Sequence, residues 1–235
     1  MSQSDNIGVD LSALDRPVWS ALTHFHAEYA TGDDLARRYR PAFNMFACAR
    51  DDSEAAIATL TEVIAPGQSV YMMQAVPIKI ADPLMFEMTA TAVQMTLEQP
   101  VAMPVDTSRF MTLGDADVPE MLELTALTKP GPFCPQTHQT GLYWGIRIDG
   151  RLAAMAGERM RFPGFTEVSA VCSHPDFRGL GLARDLSAFV AAGIQARGDI
   201  PFLHAWKTNT AARSLYYSLG FSLRCEMHAA VVTRP

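Results

Sequence analysis

Two short runs near the C-terminus carry residue types that suit one kind of chemistry. Arg178-Gly179-Leu180-Gly181-Leu182-Ala183 follows a strand-like segment, Glu167 to Ser173, across a break at His174-Pro175-Asp176. Leu182, Leu186, Phe189, Val190 and Ile194 then keep helical spacing, and Gly198 is placed to end the helix. A strand, a glycine turn and a helix start leave free backbone N–H groups and the positive helix end facing outward together, which suits a pyrophosphate. The two glycines let the backbone approach such a ligand, and Arg178 adds charge. The second run, Asn209-x-x-Ala212-x-x-x-Tyr216-x-x-x-Gly220-Phe221, follows another strand-like stretch over residues 200 to 206. It reads as a short helix capped by Gly220.

Together, V-x-S-x-P-x-x-R-G-x-G-x-A and N-x-x-A-x-x-x-Y-x-x-x-G-F resemble the acyl-CoA signature of the GNAT superfamily of N-acyltransferases. The resemblance covers roughly Arg109 to Val232 in element order, and the two motifs carry nearly all its specificity. It implies acetyl-CoA as co-substrate. Val171, Cys172 and Ser173 would lie along the pantetheine arm, with backbone groups of Val171 and Ser173 pairing to it like an added strand and polarising the thioester. Arg178, Gly179, Leu180, Gly181, Leu182 and Ala183 would take the pyrophosphate, and Asn209 and Ala212 complete the cofactor contacts. Tyr216 matches the family position that often protonates the departing thiolate.

Moving an acyl group to an amine requires a held thioester, a polarised carbonyl, a deprotonated acceptor and a protonated leaving group. A phenol of pKa ~10 is a reasonable donor to a thiolate. For the base, Glu167 lies on the side of the motif strand where many GNAT enzymes place a carboxylate, and Glu158 is second. His174 and His204 remain open. If the hairpin closes symmetrically about Pro163-Gly164, Glu158 lies opposite Ser169 and shares a face with Glu167. A slip of one residue would separate them. The four cysteines lack a persuasive His partner, so direct transfer in a ternary complex is expected over a covalent intermediate. Phe133 and His138 border the acceptor site in the family arrangement, or belong to a rigid surface loop.

These residues need elements to position them. The 235 residues are 49% hydrophobic and 19% charged, enough for a substantial core. No apolar run approaches the ~20 residues that span a bilayer, and no secretory leader is visible. Scattered cysteines at 48, 134, 172 and 225 read as free thiols in a reducing cytoplasm, with no metal site. The charge of −6 divides unevenly, −7 before Asp106 and +1 after it, so the half with the phosphate motif is the less acidic. No basic stripe suggests nucleic acid or a membrane as partner, and the chain is expected to be a monomer or homodimer.

The expected class is mixed α/β: a twisted, mostly antiparallel sheet flanked by helices, with an acyl-CoA-binding domain over 106–235. The region 1–100 reads as a degenerate copy that lacks both motifs, joined by the proline-containing linker Gln99 to Val105. In it, a helix is expected from Pro17 past Phe25 to Tyr29, a short helix over Leu35 to Arg40, a strand over Ala42 to Ala49 and a helix from Ser53-Glu54 to Ile64. Strands follow at Ser69 to Ala75 and Phe86 to Leu97. His24 and His26, two apart in the first helix, point to different faces and make an improbable metal pair. Further on, Asp117 and Glu120 spell a capping box, and Asp149-Gly150 and Pro163-Gly164 mark hairpins. The function expected is acetyl transfer to a primary amine of a small molecule or amino acid. The alternatives are a non-catalytic acyl-CoA sensor or partner module, and a protein or peptide N-acetyltransferase.

Overall fold

The computed structural model describes residues 10–235. Its centre is an eight-stranded mixed sheet that draws on the whole described chain. From the N-terminal half come β4 (Gln68–Gln74) and β5 (Met85–Thr96). The C-terminal half gives β6 (Met111–Leu113), β7 (Tyr143–Ile148), β8 (Arg151–Phe162), β9 (Phe165–Ser173), β10 (Ile200–Trp206) and β11 (Ser222–Arg234). The order is β4-β11-β5-β10-β9-β8-β7-β6, so the last strand is inserted between two strands of the first half. Only β9 and β10 run parallel. A small antiparallel sheet, β1 (Ala30–Gly32), β2 (Ala36–Tyr39) and β3 (Ala47–Ala49), stands beside it.

Five α-helices cover the sheet. They are α1 (Pro17–Thr23), α2 (Glu54–Val63), α3 (Val118–Thr128), α4 (Leu182–Ala196) and α5 (Thr210–Ser218). One face packs α4 and α5 on Val93, Met95, Ala156, Val168 and Leu203. The opposite face packs α1 against Ala92, Phe162, Phe165 and Phe202, and α3 against Tyr143, Met155 and Cys172. Alternation along the strands produces this division, since Val93, Met95 and Leu203 take one face while Ala92 and Phe202 take the other.

Several local expectations need correction. The first helix stops at Thr23, where His24 leaves helical geometry, and Phe25 is half exposed beyond it. Within Leu35 to Arg40, residues 36–39 form strand β2, because their register with β1 and β3 buries Ala36, Arg38 and Tyr39. Of Ala42 to Ala49, only the last three residues form a strand. Asp117 and Glu120 form no capping box; both carboxylates instead hold Arg147, and Asp117 also accepts from the Gly114 N–H at 3.0 Å. Ser53 does cap α2, accepting from the Ala56 N–H. The two hairpin turns form as read, with Asp149 and Gly150 at φ 51° and 78°.

A candidate acyl-donor and acceptor site

The β8–β9 hairpin decides which side chains face where. Phe162 pairs with Phe165 and Arg161 with Thr166, as symmetric closure about Pro163-Gly164 requires. The register then shifts by one residue, so Glu158 stands opposite Val168 rather than Ser169. Glu158 and Glu167 therefore point to opposite faces, which corrects the shared face drawn from the symmetric register. Glu158 is held by Arg197 at 2.7 Å, just past the end of α4. Glu167 goes to the α1 and α3 side.

A second irregularity lies further along β9. Gly157 pairs with Ser169 but Met155 with Cys172, so β9 holds one extra residue, and Ala170 takes a left-handed φ of 52°. The bulge breaks the alternation expected from the sequence. Ser169, Ala170 and Cys172 face the α3 side, while Val168 and Val171 pack toward α4. The Cys172 thiol lies in the α3 core, and burial pushes it up to about 11.

β9 and β10 pair only through Phe165–Glu167 and Ile200–Phe202. Beyond that point, residues 168–173 have no partner on their β10 side, and a gap opens toward the C-terminal ends of the two strands. A crevice at the carboxyl ends of adjacent parallel strands is where open α/β sheets bind ligands. The turn after β9 closes one end of it. Gly179 and Gly181 have φ of 81° and 74°, values that a side-chain-bearing residue adopts only with strain. Gly179, Leu180 and Gly181 are exposed. Among the described residues, no acceptor receives the backbone N–H of Gly179 through Arg184, and the Arg178 side chain forms no ion pair. Leu182 is buried under the helix and Ala183 half-buried.

Tyr216 of α5 belongs to the apolar cluster that also holds Val168 of β9 and Leu203 of β10. It is 7% exposed, and among the described residues its hydroxyl has no hydrogen-bond partner. Burial raises its pKa well above the usual phenol range, and the nearby Cys172 and Glu167 add to the rise. Asn209 caps α5, its Oδ1 accepting from the Ala212 N–H at 3.1 Å, and Ala212 packs against the core beside Tyr216.

On the opposite face, a row of buried polar side chains crosses five adjacent strands. Arg159 of β8 grips Glu167 of β9 through Nε and Nη2 at 2.8 and 2.7 Å. Glu167 Oε1 lies 2.8 Å from His204 Nδ1 on β10. His204 Nε2 meets Gln94 Nε2 of β5 at 3.1 Å, while Gln94 Oε1 accepts from Arg224 of β11. Arg224 in turn reaches Asp15 at the surface. Gln94 Nε2 also donates to the Leu14 carbonyl, so His204 accepts at Nε2 and donates from Nδ1. Burial by itself would raise the Glu167 carboxyl. The charge and hydrogen bonds of Arg159, with the contact from His204, outweigh it and hold the group at about 2.

Arg159 and Tyr143 escaped sequence reasoning. The signal was present, since Glu158-Arg159 is a charged pair inside the otherwise apolar run Leu152 to Met160. Both line a narrow cleft between the β9 bulge and the loop after α3, with Gly131, Phe133, Thr137 and Ser169. Phe133 thus lies on the cleft, whereas His138 turns away to Asp115 at 2.6 Å. His174 caps its own turn, accepting from the Asp176 N–H, and contacts Arg151 at 3.0 Å. His24 and His26 do not converge; His26 is buried against the Tyr39 hydroxyl at 2.8 Å, and burial lowers it to about 4.

Comparison with known proteins agrees with this geometry. The family model described as FR47-like protein matches residues 143–230. A GNAT-family protein from Novosphingobium aromaticivorans is 39% identical, with 94% of this chain and 98% of that one aligned at a TM-score of 0.88. A GCN5-related N-acetyltransferase from Kribbella flavida aligns over 97% and 96% of the two chains at a TM-score of 0.59 and 14% identity. A GCN5-related N-acetyltransferase-like protein from Streptococcus suis aligns over 92% of each at 0.54 and 16%. The last two share the fold. None of the curated proteins compared matches. No described helix is long and apolar enough to cross a membrane.

Proposed function

The chain belongs to the GNAT family of acetyltransferases, and on that premise we propose that it transfers an acetyl group from acetyl-CoA to the primary amine of a small molecule by direct attack in a ternary complex. The observation that carries the proposal is the row of unengaged N–H groups from Gly179 to Arg184, set at the mouth of the β9–β10 gap beside Tyr216. Those amides and Arg178 hold the pyrophosphate. The unpaired edge of β9 at Val171 and Ser173 receives the pantetheine arm as an added strand.

The amine nitrogen attacks the thioester carbon, a C–N bond forms, the C–S bond breaks, and Tyr216 gives its proton to the departing sulfur. A buried phenol is fully protonated at neutral pH and so is competent as an acid. The sequence expectation puts the base at Glu167, with Glu158 second. A carboxyl held at about 2 and gripped on both oxygens is a weak proton acceptor, and Glu158 lies on the α4 face. We therefore assign Glu167 the task of fixing Arg159, and the acceptor ammonium loses its proton to bulk water before it attacks. The N-terminal half, which contributes Phe46 stacked on Arg159, walls the acceptor side. Four free cysteines suit a reducing compartment such as the cytoplasm.

Isothermal titration with acetyl-CoA tests the proposal. Micromolar binding that weakens as salt rises is expected, and no binding at millimolar acetyl-CoA would dispose of it.

A further inference from the structure

The cleft beneath the loop after α3 holds two donors and nothing that satisfies them. Tyr143 is 1% exposed, and its hydroxyl has no hydrogen-bond partner. The hydroxyl of Thr140, close by, donates to the Thr137 carbonyl at 2.8 Å and is not in hydrogen-bonding geometry with the Tyr143 hydroxyl. An unpaired buried hydroxyl destabilises the fold, so a fold that keeps one normally has a use for it. Tyr143 is held there by a specific device: its ring lies across Gly157, where a Cβ would come within 2.3 Å of it. Tyr143, Gly157 and Ser169 are direct neighbours across β7, β8 and β9, so the ring lies over β8 toward the bulge.

Arg159 is the second donor. Nε and Nη2 are spent on Glu167, but among the described residues Nη1 has no acceptor. It faces Gly131, where a Cβ would sit 3.6 Å from Nη1. The ion pair with Glu167 and the stack on Phe46 hold the guanidinium in place before any ligand arrives. Both groups therefore lack an oxygen to donate to, and one of them is a cation.

We propose that the acceptor is a free α-amino acid, whose carboxylate takes hydrogen bonds from Arg159 Nη1 and the Tyr143 hydroxyl. This inference rests on the acetyl-transfer reading and fixes the substrate class for the same site. The carboxylate supplies two acceptor oxygens to two waiting donors, and a guanidinium fork matches it in shape and charge. The amine, on the adjacent carbon, then lies at the Ser169–Ala170 wall where the thioester carbonyl would be presented. A peptide N-terminus offers a carbonyl at this position but no anion, and a simple amine offers neither.

The test compares L-amino acids with their carboxamides and their decarboxylated amines as acceptors, using wild type and Tyr143→Phe, after acetyl-CoA binding to each has been measured. The inference expects kcat/KM roughly ten- to a hundredfold higher for the amino acid than for its amide or amine, the scale of lost hydrogen bonds to a charged group. In Tyr143→Phe that ratio should shrink at least severalfold, through KM. The phenylalanine removes a buried polar group without a partner, so folding should survive, and acetyl-CoA affinity reports that it has. Equal or better turnover of amides, amines or peptides, or an unchanged ratio in Tyr143→Phe, would overturn the inference while leaving acetyl transfer standing. Failure of acetyl-CoA to bind would remove both readings.

Discussion

The turn at 178–184 and the polar row on the other face of the sheet treat hydrogen bonds in opposite ways. The turn leaves six successive N–H groups unengaged among the described residues, and its chemistry is that of the backbone. The row from Arg159 to Arg224 buries its polar groups and satisfies nearly all of them, with side chains drawn from five strands. A ligand built around a diphosphate can be held by any chain that makes the right local bend. A small acceptor needs charges fixed in a dry place, and only long-range packing provides that. The two regions should therefore fail in different ways when altered.

The largest effect is expected in the row. Arg159→Met leaves the buried Glu167 carboxylate with only the His204 contact, at a cost of about 3 kcal/mol in unfolding free energy by urea titration. Arg159→Met with Glu167→Gln should recover most of that loss, because both charges leave together. If the single change costs less than about 1 kcal/mol, the row is not a locked network and the contrast fails.

Next comes Tyr216→Phe, which should leave acetyl-CoA affinity and melting temperature near wild type while lowering kcat about a hundredfold, the usual scale for a lost general acid. Steady-state rates measured beside a binding titration separate the two. In the turn, Gly181→Val should behave the other way. A branched side chain at φ 74° costs about 1–2 kcal/mol of strain, and relief of that strain rotates the amides from their common direction. Weakening of acetyl-CoA binding by about tenfold is expected, with the polar row undisturbed.

Acid should act on the row and not on the turn. Glu167 is held at about 2 in the folded protein against an ordinary 4.5. A depressed carboxyl contributes stability that is fully present above pH 4.5 and is lost as pH falls toward 2. Melting temperature should fall across that window, and Glu167→Gln should flatten the fall.

The same contrast explains what could be read from the chain. Strand β9, the glycine turn and the α4 start are consecutive residues, so the strand–turn–helix unit was legible from Glu167 to Ala183. The hairpins at Asp149-Gly150 and Pro163-Gly164 were legible for the same reason. The facing of Glu158 was not, because one extra residue in β8 after Glu158 reverses it and no residue type there announces a bulge. Nor did the bulge at Ala170 show itself, since the left-handed residue is an alanine rather than a glycine. Leu35 to Arg40 read as helix because its three arginines and a leucine favour one, and pairing to β1 and β3 overrode that preference. Arg159 is meaningful only through Glu167, Phe46 and Gly131, which lie on three other segments.

The smallest expected effect tests whether the contrast is sharp at the one residue that stands between the two modes. Asn209 caps α5 through Oδ1, a local backbone task, and the family resemblance also gives it a contact with the pantetheine arm. Its amide nitrogen has no hydrogen bond among the described residues and is free for that contact. Asn209→Ala should cost about 1 kcal/mol of stability through the lost cap. Asn209→Asp keeps a capping oxygen and adds a charge favourable to the helix start, so it should restore the stability. It cannot restore a donor. Acetyl-CoA binding should therefore stay weakened a fewfold in Asn209→Asp although the melting temperature recovers. If affinity and stability return together, Asn209 serves only the helix, and the cofactor is held on that side by Tyr216 and the β9 edge.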